Sequence, residues 1–213
     1  MSAAHKNNFL SIVVIATALA GIGLTYDGRR TSGAPPQPAA AAAPPSLLAA
    51  VPEASMSALR PMPAALPVRI DIPSIRVDAP LTTVHRDKDG SIATPPDGNR
   101  DLAGWFDGSV SPGASGTAVL VGHVDTRQGP AVFYDLGALP KGKKIIVTRA
   151  DGTRATFIVY GIAVYDKDRF PATTVYRSTA APELRVITCG GSYSKARGYS
   201  GNVVVYARLA ATG

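Results

Sequence analysis

Cysteine occurs once in the 213 residues, as Cys189, tryptophan once, and histidine three times. A lone thiol cannot close a disulfide within the chain and cannot build a multi-thiolate metal centre. There is no Gly-rich phosphate loop and no dinucleotide fingerprint. No Asp/Glu cluster suggests a calcium site, so neither a metal nor a cofactor is expected. Basic residues exceed acidic ones by 22 to 15, but no run of Lys or Arg is interleaved with aromatics. From Pro67 onward the count is eighteen against thirteen, a net of +5 spread along the chain. That spread reads as a solvated basic surface suited to an anionic membrane or cell wall, with no nucleic-acid partner.

Three regions differ in texture. After a short N-terminus (1–8), taken to be cytoplasmic, residues 9–26 contain the apolar run Phe9–Thr25, preceded by Lys6. The run is close to the minimum of roughly 17 residues for a membrane span. It reads as a single-pass anchor, with a cleaved signal peptide as the alternative. Arg29 and Arg30 follow it, so charge alone does not orient the span. Residues 27–66 are rich in Pro and Ala without apolar periodicity, which predicts a polyproline-like spacer. Residues 67–213 are expected to form the functional domain.

Within that domain, short β-branched runs alternate with Gly, Pro, Asp and Asn. Strands are predicted at 68–72, 118–123, 144–148, 155–160, 161–165, 184–188 and 202–208, with a hairpin turn at Asp151-Gly152 and a helical turn near 132–136. The absence of a long amphipathic helix makes the fold all-β, and a closed antiparallel barrel or a sandwich leaves few exposed edges.

Leu184–Thr188 runs directly into Cys189 and two glycines, which fixes the thiol at a strand end. Gly190 and Gly191 permit unusual dihedrals and close approach of a substrate backbone. A free thiol in an exported chain is an oxidation liability, so it calls for either burial or chemistry. As a nucleophile it needs a base, because an ordinary thiol is only a few per cent ionised at neutral pH. His123 ends another apolar strand sixty-six residues earlier and is the candidate partner. His5 precedes the apolar run and His85 sits in a turn-like HRDKDG segment. The competing readings are a hydrogen-bonded core histidine and a buried, inert thiol. Asp125 is either a turn residue or an orienting carboxylate for His123, and Trp105 reads as core.

In order and local texture, Val121-Gly-His-Val-Asp125, Ile187-Thr-Cys189 and Asn202-Val-Val-Val-Tyr-Ala207 resemble the sortase family. Gly104-Trp-Phe106, Pro112-Gly113, Gly129-Pro-Ala-Val-Phe133 and Thr188-Cys-Gly-Gly191 resemble the actinobacterial sortases called class F. The resemblance implies a closed eight-stranded β-barrel and a cysteine transpeptidase with Cys189 and His123 as its catalytic residues. Its substrates would be surface proteins with a C-terminal LPXTG-type sorting signal, bound along Ile187, Thr188, Gly190 and Asn202. The acceptor would be an amine such as a peptidoglycan precursor, and the catalytic domain would lie outside the cell. Such enzymes use an arginine about thirteen residues after the cysteine, where this chain has Asn202. Arg185, on the face of Cys189 by strand alternation, and Arg197, in the following loop, are the two candidate replacements. An L,D-transpeptidase and a non-catalytic surface binding module on the same barrel are the competing functions.

Overall fold

The computed structural model describes residues 33–44 and 59–213. The apolar run at 9–26, the preceding N-terminus and the spacer at 27–32 and 45–58 lie outside the described residues. Among those described, no helix is long and apolar enough to cross a membrane.

The strands are β1 (Pro67–Ile72), β2 (Val77–Val84), β3 (Ala103–Phe106), β4 (Thr117–Val121), the short pair β5 (Asp125–Thr126) and β6 (Gly129–Pro130), β7 (Lys144–Arg149), β8 (Arg154–Asp166), β9 (Glu183–Ser194) and β10 (Gly198–Thr212). Eight of them close a barrel in the order β1-β2-β3-β4-β9-β10-β8-β7, while β5 and β6 pair separately. The only α-helix among the described residues is α1 (Ala172–Val175), accompanied by single 3-10 turns. The expected barrel is therefore present, but it is not purely antiparallel. The pairs β2–β3 and β4–β9 are parallel, and long connections return the chain to the starting end in both cases.

Local chemistry accounts for these elements. Gly152 has φ 81° and donates to Arg149 O, while Thr153 donates its N–H and hydroxyl to Asp151 Oδ1, which closes the predicted hairpin between β7 and β8. The two predicted strands at 155–165 are one strand, β8, paired along most of its length with β10. Strand β2 escapes prediction because Pro80 lies within it. Pro80 faces Arg69 of β1, and β3 pairing begins only at Leu81, so the missing N–H costs no bond on the second side.

Alternation along the central strands sends side chains to two apolar clusters. Ala118, Leu120, Leu184, Val186, Val203 and Val205 point into the barrel with Ile70, Ile145 and Phe157. Val119, Val121, Ile187, Val204 and Tyr206 point outward, where Val84, Phe106 and Val175 join them. Both faces of β4 are thus covered, which explains why its sequence is apolar throughout. Burial of each such aliphatic side chain contributes about 1.5–3 kcal/mol.

The stretch read as a free spacer is docked where it is described. Tyr134 donates its hydroxyl to Gly33 O, and Lys141 donates to Ala41 O and Ala43 O. Farther on, Met62 N–H donates to Gly113 O and Arg149 donates to Pro63 O. Glycines make this packing possible, since a Cβ at Gly137 would lie 2.0 Å from Pro36 O and one at Gly161 2.6 Å from Pro44.

Candidate active site

Strands β4 and β9 run in parallel with a constant offset, from Thr117 beside Glu183 to Val121 beside Ile187. Two hydrogen bonds carry this alignment past the end of β4. Gly122 N–H donates to Ile187 O (3.2 Å), and Thr188 Oγ1 donates to Gly122 O (2.8 Å). Carried two residues past the end of β4, the same register brings the backbone of His123 level with that of Cys189. On the other side of β9, Cys189 and Asn202 are direct cross-strand partners. Cys189 and Asn202 therefore lie on neighbouring strands about 4.8 Å apart, with the His123 segment following the strand on the other side of β9. Alternation from Val121, Ile187 and Val204 assigns all three to the outer face of the barrel.

The backbone around His123 is held from below. Phe133 N–H donates to His123 O (3.0 Å) and Ala131 N–H to Val124 O (3.0 Å). Gly122 is required here, because a Cβ would lie 2.6 Å from the Phe133 ring. The imidazole is mostly buried, and its Nε2 meets Pro95 O at 2.6 Å and Asp97 Oδ1 at 3.2 Å. Sequence reasoning missed Asp97 because it sits in a Pro-Pro-Asp-Gly turn twenty-six residues upstream. Asp125, the carboxylate weighed for this role, instead accepts the Tyr199 hydroxyl. Burial, reinforced by that bond, pushes the Tyr199 phenol well above its ordinary range.

Cys189 is a free, half-buried thiol. Its named neighbours are placed unequally. Ile187 shares its face but is buried in the outer apolar cluster. Thr188 does not face outward with Cys189, because its buried side chain is spent on Gly122 O; its work is to pin the segment after β4 against β9. Gly190 serves close packing between strands rather than substrate approach, since a Cβ there would lie 2.6 Å from the Val203 side chain. Gly191 takes φ 80° and donates its N–H to Gln37 Oε1 (2.9 Å).

The expectation that Arg185 reaches the thiol is corrected by its burial. Its guanidinium is 1% exposed and bonds Glu183 Oε2 (2.7 Å), Val175 O (3.1 Å) and Leu184 O (3.2 Å) while lying 4.5 Å from the Tyr206 ring centre. Glu183 also accepts the Tyr160 hydroxyl and lies 3.3 Å from Arg208. Arg185 thus fastens the β8–β9 connection over the outer cluster, four residues and about 13 Å from Cys189 along the strand. Arg197 is exposed in the β9–β10 turn, where its backbone N–H bonds Ser194. Among the described residues its side chain forms no ion pair. His85 pairs with Asp107 at 2.6 Å near the opposite end of β4.

The free thiol Cys189 lies on β9 of the closed eight-stranded β-barrel, and His123 follows the neighbouring strand β4. Residues 70–210 match the sortase domain model, and the chain belongs to the sortase family, whose domain is that of a cysteine transpeptidase. This sets aside the L,D-transpeptidase alternative. Among solved structures, sortase A from Listeria monocytogenes matches with a TM-score of 0.52 at 19% identity, covering 70% of this chain and 90% of that one. Sortase C-1 from Actinomyces oris matches with a TM-score of 0.53 at 24% identity, covering 68% and 73%. A lid mutant of Corynebacterium diphtheriae sortase A gives 0.54 at 19%, covering 70% and 73%. At these identities the likeness is one of fold. No curated protein matches the chain significantly.

Proposed function

We propose that the protein is an extracytoplasmic sortase, held to the membrane by residues 9–26, that cleaves LPXTG-type sorting signals and joins them to an amine. The observation that supports this reading is the parallel β4–β9 register, which, continued past Val121, brings His123 level with Cys189. The peptide lies in an outer groove beside Cys189 and Asn202, the two cross-strand partners of β9 and β10. His123 takes the thiol proton, the Cys189 sulfur attacks the scissile carbonyl carbon, and the oxyanion is steadied by the Asn202 amide. The C–N bond breaks as His123 returns the proton to the leaving amine, leaving a thioester. An acceptor amine such as a peptidoglycan precursor then attacks the same carbon, and the C–S bond breaks to restore the thiol. The Thr188-Cys-Gly-Gly191 sequence supports a place among the class F enzymes.

The test is turnover of an LPXTG-type peptide by wild type and by Cys189→Ala of equal thermal stability. Loss of cleavage in the variant is expected, and unchanged turnover overturns the mechanism. One observation favours a second reading, a non-catalytic surface binding module: no arginine faces Cys189 from β10. Binding of sorting peptides without cleavage by the wild type would support it.

A further inference from the structure

The Nε2 atom of His123 faces two groups that only accept. One is the Pro95 carbonyl at 2.6 Å and the other the Asp97 carboxylate at 3.2 Å. A backbone carbonyl never donates. Nε2 must therefore carry a hydrogen, and in the neutral ring the lone pair is left on Nδ1. The carbonyl is aimed by a stiff segment. Pro95 is buried, its ring lies where a Cβ on Gly104 of β3 would touch it at 3.3 Å, and Pro96 follows it directly. Asn99 N–H donates to Pro96 O, closing the turn that carries Asp97. Asp125, the other carboxylate near this end of the groove, is engaged by Tyr199.

We propose that the Pro95–Asp97 turn fixes His123 as its Nε2–H tautomer, so that Nδ1 exchanges the proton with Cys189, and that Asp97 is the positioning residue whose charge favours the imidazolium formed in that exchange. The inference rests on the acyl-transfer reading of the site. When the thiol proton moves to Nδ1, Nε2–H stays bonded to both acceptors, so no ring flip is needed. The Asp97 carboxylate then faces a cation rather than a neutral donor, which makes its bond a charge-assisted one.

Two measurements on the full chain test this without relying on turnover. Imidazole 15N NMR should show neutral His123 protonated at Nε2; a dominant Nδ1–H tautomer overturns the proposal. The chain has a single cysteine, so the rate of iodoacetamide alkylation at neutral pH reports on Cys189 alone. Asp97→Ala and Asp97→Asn should each slow it about tenfold. Asn keeps the shape and an acceptor but not the charge, so a wild-type rate in Asp97→Asn shows a merely structural role and overturns the assignment to Asp97. Wild-type enzyme that passes both tests yet never cleaves a sorting peptide would count against the sortase reaction and leave the tautomer assignment standing.

Discussion

Asn202 is the cross-strand partner of Cys189, and its side-chain amide supplies N–H donors without a charge. If it steadies the oxyanion, Asn202→Ala lowers kcat on the order of 10²-fold with KM little changed. Steady-state cleavage of a sorting peptide checks this, and an unaltered kcat assigns the oxyanion to backbone donors. Arg185 makes the opposite prediction. Its buried pairing with Glu183 means that Glu183→Ala leaves an uncompensated guanidinium, at about 3–5 kcal/mol of unfolding free energy. Urea denaturation reads that loss. Alternation correctly gave Arg185 the face of Cys189, but nothing in the local sequence revealed that the connection through Val175 closes over it. Asp97 was invisible for the converse reason. Its contact with His123 spans twenty-six residues, and a carboxylate in a turn usually serves only the turn.

The segments that carry the site depend on how β4 ends. Thr188 is the bolt, donating to Gly122 O from a buried position. Thr188→Val removes that donor and leaves the carbonyl unsatisfied, at about 1–3 kcal/mol. The variant should lose activity beyond its loss of stability, because the His123 segment is freed from β9; equal rates at matched folded fraction would show that the backbone bonds to Phe133 suffice. Strands rich in β-branched residues, β4, β7, β8 and β10, were legible because a pleated, buried ladder favours them. Strand β3 was not, having only four residues and a glycine at Gly104 where a Cβ would strike Val84 at 2.7 Å. The parallel pairing of β4 with β9, whose register continues toward His123 and Cys189, is set by long connections and leaves no periodic mark. The strands were recognisable, their parallel alignment was not.

Over the whole barrel, four phenols, Tyr160, Tyr176, Tyr199 and Tyr206, tie stability to alkaline pH. Burial is the largest cause in each: it pushes Tyr160 up to about 12, and Tyr199 and Tyr206 also rise well above the ordinary phenol value. A group whose folded pKa is raised binds more protons when folded, so its contribution is complete below about pH 10 and disappears as pH climbs through the folded values. Tm should fall steadily above about pH 10, and less steeply in Tyr160→Phe, as calorimetry can check. The docked spacer segment at 33–44 belongs to the same fold, and a chain starting at residue 59 should melt below one starting at residue 33.

The reaction itself is tested most directly by intact-mass spectrometry of the protein mixed with an LPXTG-type peptide and no amine acceptor. The account predicts a peptide-derived thioester on Cys189 in the wild type, its loss in Cys189→Ala, and its release when an acceptor amine is added. A wild-type chain that cleaves the peptide without passing through that adduct, or that never acquires it across a panel of sorting signals, would contradict it.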